Sequence, residues 1–63
     1  GNESRVLMQS RAGQEFVVRQ GNEAGWWQVF LPDGRRGYMY STRIESLRQA
    51  TWADMERVGI QGP

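Results

Sequence analysis

The stretch "GWWQVFLPDGRRGYMYSTRI", residues 25–44, holds five of the seven aromatic residues in this chain of 63 residues. It opens with two adjacent tryptophans, Trp26 and Trp27, and continues as a run of alternating apolar and polar residues. Successive side chains of a β-strand point to opposite faces. The pattern therefore predicts a strand over 26–31 with Trp27, Val29 and Leu31 facing the core and Trp26, Gln28 and Phe30 facing outward.

The tripeptide Pro32-Asp33-Gly34 follows this strand and predicts a hairpin turn. Proline fixes its φ near about −65°, aspartate tolerates the turn, and glycine supplies a positive φ. Residues 35–40 are then the return strand. Gly37 lies inside that strand, where a glycine usually marks a bulge or a close approach of another backbone.

Three shorter β-forming runs complete the pattern, at 6–9, 15–19 and 44–47, and a glycine-rich loop at 20–25 separates the second of them from Trp26. We expect an all-β fold, a small barrel of about five short strands with a short C-terminal helix.

The C-terminal segment has a helical pattern. Thr51 and Asp54 match a capping box, and Gly59 is placed to end the helix. The pattern predicts a helix near 51–58. A helix this short needs tertiary contacts, and Trp52, Met55 and Val58 are the residues expected to pack on the barrel.

Composition limits the possible functions. The chain has eight arginines and seven acids, a net charge of +1, and neither cysteine nor histidine. Disulfides and thiolate zinc sites are excluded, and the commonest general base is missing. Ser10, Ser41 and Ser46 therefore have no evident activating base. We expect no catalytic residue, no metal site and no cofactor.

The chain is short enough to be one domain. Residues 1–3 are interpreted as a tag or linker remnant, 4–48 as the barrel and 49–63 as the helical tail. The charge is too balanced for a typical DNA-binding protein, so nucleic acid is an unlikely partner. No stretch approaches the roughly 20 apolar residues of a membrane span.

The ordered set Trp26-Trp27, Asp33-Gly34, Gly37-Tyr38-Met39 and Ile44 resembles the second half of Src-homology-3 (SH3) domains, and bacterial SH3 (SH3b) domains most of all. The likeness covers Arg5 to Leu47. It implies an SH3-like barrel, a non-catalytic binding role and, from the bacterial members, a cell-wall peptide or a protein as the partner. It also implies a location in the bacterial cell envelope or outside the cell.

The chain departs from the SH3 pattern at its beginning. The family normally has a first strand and a long hairpin loop before the equivalent of Arg5, and this chain has few residues there. The family's ligand-face proline and 3₁₀-turn tyrosine are replaced by Tyr40 and Arg43, which argues against recognition of PxxP peptides. Without a first strand, the last strand is expected to lie unpaired. The C-terminal tail, a second copy of the chain or a partner's strand would then cover it.

The candidate ligand-binding residues follow from the outward-facing positions and the resemblance. Aromatic side chains supply contact area, and an arginine supplies polar orientation. The residues are Trp26, Phe30, Tyr38, Tyr40 and Arg43.

Three of these residues, Trp26, Tyr38 and Tyr40, have an alternative interpretation. Trp52 and Met55 of the tail could cover Trp26, and the two tyrosines could be ordinary cross-strand neighbours. Arg35 and Arg36 could bind phosphate or carboxylate, although a solvated turn is the commoner role. For the whole chain, the alternative to ligand binding is a structural module that forms a homo-oligomer through its strand edge and aromatic face.

Overall fold

Five antiparallel strands and one short helix make up the computed structural model, which describes residues 5–59. The strands are paired in the order β4-β3-β2-β1-β5. The all-β prediction with a short C-terminal helix is confirmed. The remnant predicted at 1–3 and the end of the predicted tail, 60–63, lie outside the described residues. The elements are β1 (Val6–Ser10), β2 (Glu15–Gln20), β3 (Trp26–Phe30), β4 (Arg36–Tyr40), a 3₁₀ turn (Ser41–Arg43), β5 (Ile44–Gln49) and α1 (Trp52–Val58).

The β3–β4 hairpin turns at Asp33, as predicted. Leu31 N–H donates to the Arg35 carbonyl and Gly34 N–H to the Leu31 carbonyl, both at 3.0 Å. The Asp33 carboxylate accepts from the Arg35 backbone N–H at 3.0 Å and from its Nε at 2.6 Å. These bonds fix the register in which every residue of β3 finds its partner on β4.

The prediction for Gly37 is wrong. It pairs with Val29 in unbroken register, so no bulge occurs there. A Cβ at Gly37 would lie 3.8 Å from the Val29 Cβ, which is an ordinary contact. The position needs neither a special backbone conformation nor a close backbone approach.

The expectation that the last strand lacks its partner is also wrong. β5 pairs along β1, with Leu7 opposite Arg48 and Met8 opposite Leu47. The turn between β1 and β2 is short, and Gly13 N–H closes it onto the Ser10 carbonyl at 2.9 Å. Val6–Ser10 is therefore itself the first strand of the sheet, and a connection of four residues joins it to β2.

Two apolar clusters lie on opposite faces of the sheet. The inner cluster is built on buried Met8, Val18 and Val29. Both end strands of the sheet contribute to it, through Met39 of β4 and Ile44 of β5, so the sheet curls into a barrel-like form. The other members packed against the inner cluster are Val6, Phe16, Trp27 and Leu31.

The outer cluster is built on buried Leu7, Val17 and Met55, and the helix supplies the last of these. Phe30 and Val58 pack against it. The predicted packing of Met55 and Val58 on the sheet is therefore confirmed. The prediction for Trp52 is wrong, because its side chain is 55% exposed.

The ends of α1 follow the predicted capping pattern. The Thr51 side chain accepts from the Asp54 N–H at 3.1 Å, and the Asp54 carboxylate accepts from the Thr51 N–H at 2.9 Å. Gly59 ends the helix with φ of 84°. Both signals depend on residues at the ends of the helix itself, so both helix ends could be predicted from the sequence.

An ionic clamp formed by Glu15, Arg48, Asp54 and Arg57 joins α1 to β2 and β5. Arg48 donates to both Asp54 oxygens at 2.7 and 2.8 Å. Arg57 bridges Asp54 at 2.8 Å and Glu15 at 3.0 Å. Asp54 both completes the capping box with Thr51 and pairs with two arginines, and it is only 2% exposed.

Candidate binding surface

Trp26, Tyr38 and Tyr40 form one exposed aromatic cluster on the outer face of β3 and β4. Trp26 lies directly opposite Tyr40, and Tyr38 lies opposite Gln28. The rings of Trp26 and Tyr40 meet edge to face, with centroids 5.1 Å apart and planes at 67°. Aromatic pairs favour this arrangement. The hairpin register alone therefore brings the three rings together.

The aromatic cluster is open to solvent. Trp26 is 40%, Tyr40 41% and Tyr38 66% exposed. Trp27 points the opposite way and packs in the inner cluster. The divergence of the two tryptophans was predicted from alternation and is confirmed.

The predicted alternative, in which the tail helix covers Trp26, is wrong. Met55 packs instead against Leu7 and Val17, away from the aromatic cluster, and Trp52 is itself exposed. The helix protects a different part of the outer face. Trp26 therefore keeps a free ring surface beside Tyr38 and Tyr40.

The β2–β3 loop holds the aromatic cluster in place. Gly21 N–H donates to the Trp26 carbonyl at 2.9 Å, and Trp26 N–H donates to the Glu23 carbonyl at 3.1 Å. Ser41 N–H donates to the Gly25 carbonyl at 2.8 Å, which ties the loop to the end of β4. These bonds tie the Trp26 and Tyr40 ends of their strands to a common loop.

Two adjoining hollows of about 520 Å³ each flank the aromatic cluster. One lies between Trp26, Tyr38 and the loop residues Asn22 and Glu23. It combines two aromatic rings with a carboxylate and an amide. The other continues past Tyr38 towards Arg19, which donates from Nε to the Gln28 side-chain oxygen at 2.9 Å.

Phe30 and Arg43, the other two predicted ligand-binding residues, do not join the aromatic cluster. Phe30 lies at the far end of β3 and packs against the outer cluster. Arg43 is exposed in the 3₁₀ turn, where its carbonyl accepts from Arg11 N–H at 2.9 Å. Neither residue lines the two hollows beside Trp26 and Tyr38.

The ion pairs that shift pKa values involve residues outside the aromatic cluster. Arg48, together with the Thr51 backbone and Arg57, holds the pKa of the Asp54 carboxyl well below its usual range. Arg35 lowers the pKa of Asp33 through its backbone and side-chain donors. In return, Asp54 raises the pKa of Arg48. Both carboxylates have structural partners, so they are poor candidates for proton transfer.

Sequence reasoning missed two features of the site region. The first is the burial of Asp54, for which Arg57 three residues later was an available signal. The second is that Phe30 contacts Arg36, its cross-strand partner. Residues at equal distances from Asp33 on the two strands of the hairpin face each other, so the position of the turn predicts that Phe30 lies opposite Arg36.

The exposed groups among the described residues are suited to non-covalent contacts. No group of three or more acidic side chains within 5–59 is arranged to hold a metal ion. Also within that range, no helix is long and apolar enough to cross a membrane. The aromatic cluster presents flat apolar surfaces with two phenol hydroxyls, which suits contact with a peptide.

Searches of protein-family models, curated proteins and solved structures gave no match for this chain.

Proposed function

We propose that this chain is a non-catalytic binding module and that the aromatic cluster is its contact surface. The observation that carries the proposal is the collection of Trp26, Tyr38 and Tyr40, all at least 40% exposed, at one end of the outer face. Tryptophan and tyrosine are enriched among residues that dominate binding energy. The part of each ring that stays exposed to solvent contributes no burial of apolar surface to folding.

The ligand we propose is an extended peptide, from the cell wall or from a protein partner. The hollows beside Trp26 and Tyr38 adjoin the β2–β3 loop and share Gly21, Asn22 and Tyr38 in their linings, and each is lined by both apolar and polar groups. Glu23 and Asn22 supply groups that can pair with peptide amides. The resemblance to bacterial SH3 domains supports this ligand class.

A titration followed by NMR tests the proposal. The chain has three tryptophans, so three indole N–H signals report on three places. A muropeptide is expected to shift the Trp26 signal, because Trp26 is the one tryptophan whose ring belongs to the aromatic cluster. A proline-rich peptide serves as the comparison probe and should bind more weakly, because Tyr40 and Arg43 replace the residues with which SH3 domains recognise PxxP peptides. Trp27 packs in the inner cluster and also lines the second hollow, so its signal reports a peptide that extends past Tyr38. The Trp52 signal reports the exposed helix surface and should stay unchanged.

A matched pair of variants sharpens the test. Trp26→Ala is expected to weaken peptide affinity at least tenfold, as for a central binding tryptophan. Trp52→Ala removes an equally large, more exposed ring and should leave affinity unchanged. Equal losses in the two variants, or peptide shifts that avoid Trp26, would refute the assignment. An oligonucleotide serves as a third probe, whose binding would fall steeply with salt.

A homo-oligomeric assembly module is the second candidate function. One observation favours it: β4 and β5 end the strand order, so each has one side without a strand partner among residues 5–59. Such edges can pair with another chain. The original reason for this candidate, an absent first strand, no longer holds, because β1 occupies that place.

The molar mass of the chain in solution, measured over a hundredfold range of protein concentration, distinguishes the two functions. A binding module keeps the monomer mass, whereas an assembly module gains mass with concentration. Trp26→Ala would lower that gain if the aromatic face forms the contact. A constant monomer mass together with a shifted Trp26 signal on peptide addition supports binding.

A further inference from the structure

Phe30 has two guanidinium groups over its ring. The Arg36 Cζ lies 4.6 Å from the ring centroid and the Arg5 Cζ lies 5.3 Å from it. Arg36 arrives as the cross-strand partner of Phe30, and Arg5 immediately precedes β1. The Phe30 ring is therefore within cation–π distance of two guanidinium groups from distant parts of the chain.

The two arginines share a hollow with a third. Arg5, Arg35 and Arg36 line a depression of about 170 Å³ that Phe30 and Pro32 also line. We call these three arginines and Phe30 the arginine site. The depression is about one third the volume of each hollow beside the aromatic cluster. It suits a single compact headgroup better than a peptide segment.

The charge of the arginine site is incompletely balanced within the described chain. Arg35 is held by Asp33 at 2.6 Å. Among residues 5–59, neither Arg5 nor Arg36 has a carboxylate oxygen within 4.0 Å. The nearest polar contact of the Arg5 guanidinium in this range is the Met55 sulfur at 3.4 Å, a weak acceptor.

We propose that the arginine site binds a phosphoryl group. Guanidinium groups present several N–H donors in a fixed plane, and a phosphoryl group offers three acceptor oxygens with up to two charges. Such a group would occupy the depression with Arg5 and Arg36 already stacked on Phe30. The ring restricts both side chains before binding, which lowers the entropy lost on binding.

Titration with inorganic phosphate at constant ionic strength tests this proposal. The side-chain Nε–H signals of Arg5 and Arg36 and the backbone amide of Gly34 are expected to shift together along one saturable curve. Arg36→Gln should weaken phosphate binding roughly tenfold or more, since it removes a charge-assisted donor. Arg5→Gln should act in the same direction.

Arg11→Gln is the matched control, because it removes the same charge from an arginine that pairs with Glu45 and does not line the depression. Phosphate affinity should survive this change. Linear shifts spread over all arginines would overturn the proposal, and so would equal losses in the Arg36 and Arg11 variants. Acetate at matched ionic strength should bind more weakly, and equal binding would overturn the phosphoryl assignment. Amide spectra of each variant confirm that it is folded.

Discussion

At the scale of single residues, Gly25 determines where the aromatic cluster stands. Its φ is +83°, a backbone conformation that residues other than glycine rarely adopt. A Cβ built at this position would lie 2.8 Å from Cε1 and 3.0 Å from Cζ of the Tyr40 ring. The glycine therefore does two things at once: it lets the loop turn into β3 and lets Tyr40 lie against that turn.

Gly25→Ala is expected to lower the free energy of unfolding by more than the about 1–2 kcal/mol that a left-handed conformation costs a residue other than glycine. The extra loss comes from the displaced Tyr40 ring. Urea unfolding measures the stability, and the ring signals of Tyr40 and Trp26 report the displacement.

Gly34→Ala is the matched control for this prediction. Gly34 has a similar φ of +90°, but a Cβ there would have nothing within 4 Å. It should show the conformational cost alone. Equal losses in the two variants with an unmoved Tyr40 ring would mean that Gly25 has no part in placing the aromatic cluster.

At the scale of secondary structure elements, the ionic clamp attaches α1 to the sheet. Asp54 accepts from Arg48 on β5 and from Arg57 on its own helix, while Arg57 also reaches Glu15 on β2. The same carboxylate caps the helix through the Thr51 N–H. A seven-residue helix is marginal alone, so these contacts and Met55 stabilise it.

The clamp predicts an acid-sensitive helix. The pKa of Asp54 is lowered in the folded protein by Arg48 first and then by the Thr51 backbone and Arg57. A carboxyl whose folded pKa is depressed contributes stability above its unfolded pKa of about 3.9, and that contribution is lost as the pH falls towards the folded value. Stability should therefore decline from about pH 5 downward.

Asp54→Asn is expected to be less stable than the unmodified chain at pH 7 and to show a flatter decline between about pH 5 and pH 2. Urea midpoints at several pH values measure both effects. Asp33→Asn is the comparison, because Asp33 also has a lowered pKa but lies exposed at the hairpin tip. Parallel pH curves for the unmodified chain and Asp54→Asn would show that the clamp does not control the acid response.

At the scale of the whole molecule, the features that were correctly predicted from the sequence are those that neighbouring residues determine. The hairpin at Asp33, the opposite orientations of Trp26 and Trp27 and the cap at Thr51 depend on neighbouring residues, and all three are confirmed. The pairing of β1 with β5 was not predicted. It joins residues about forty positions apart, and no local pattern specifies such a partner.

The same limit applies to the candidate site. Alternation placed Trp26, Tyr38 and Tyr40 on one face, and the hairpin register brings them together. Phe30 lies on the same face, but its side chain packs against the outer cluster, to which the helix contributes Met55. Trp52 and Met55 lie three residues apart in one helix, so the pattern could not tell which of them contacts the sheet. That choice depends on how α1 lies across the strands, which is a tertiary property.

The two apolar clusters share the same strands, and this predicts how the molecule unfolds. Along β1, Leu7 faces the outer cluster and Met8 the inner one, and along β2 the neighbours Val17 and Val18 divide in the same way. A strand cannot leave one cluster and remain in the other. We therefore expect α1 and the barrel interior to unfold in a single cooperative transition, as small domains usually do.

Met55→Ala tests this coupling from the helix side. Truncating a buried methionine typically costs about 2–5 kcal/mol, and the loss should move the helix signal in circular dichroism and the fluorescence of Trp27 to the same lower urea midpoint. Trp26 and Trp52 are replaced by phenylalanine in all samples, so that Trp27 alone reports the interior. Val58→Ala, at a half-buried position, gives a milder change if Met55→Ala does not fold. A helix signal that moves while the Trp27 signal stays would mean that the helix is an independent appendage and that β1 and β2 do not transmit its contacts to the interior.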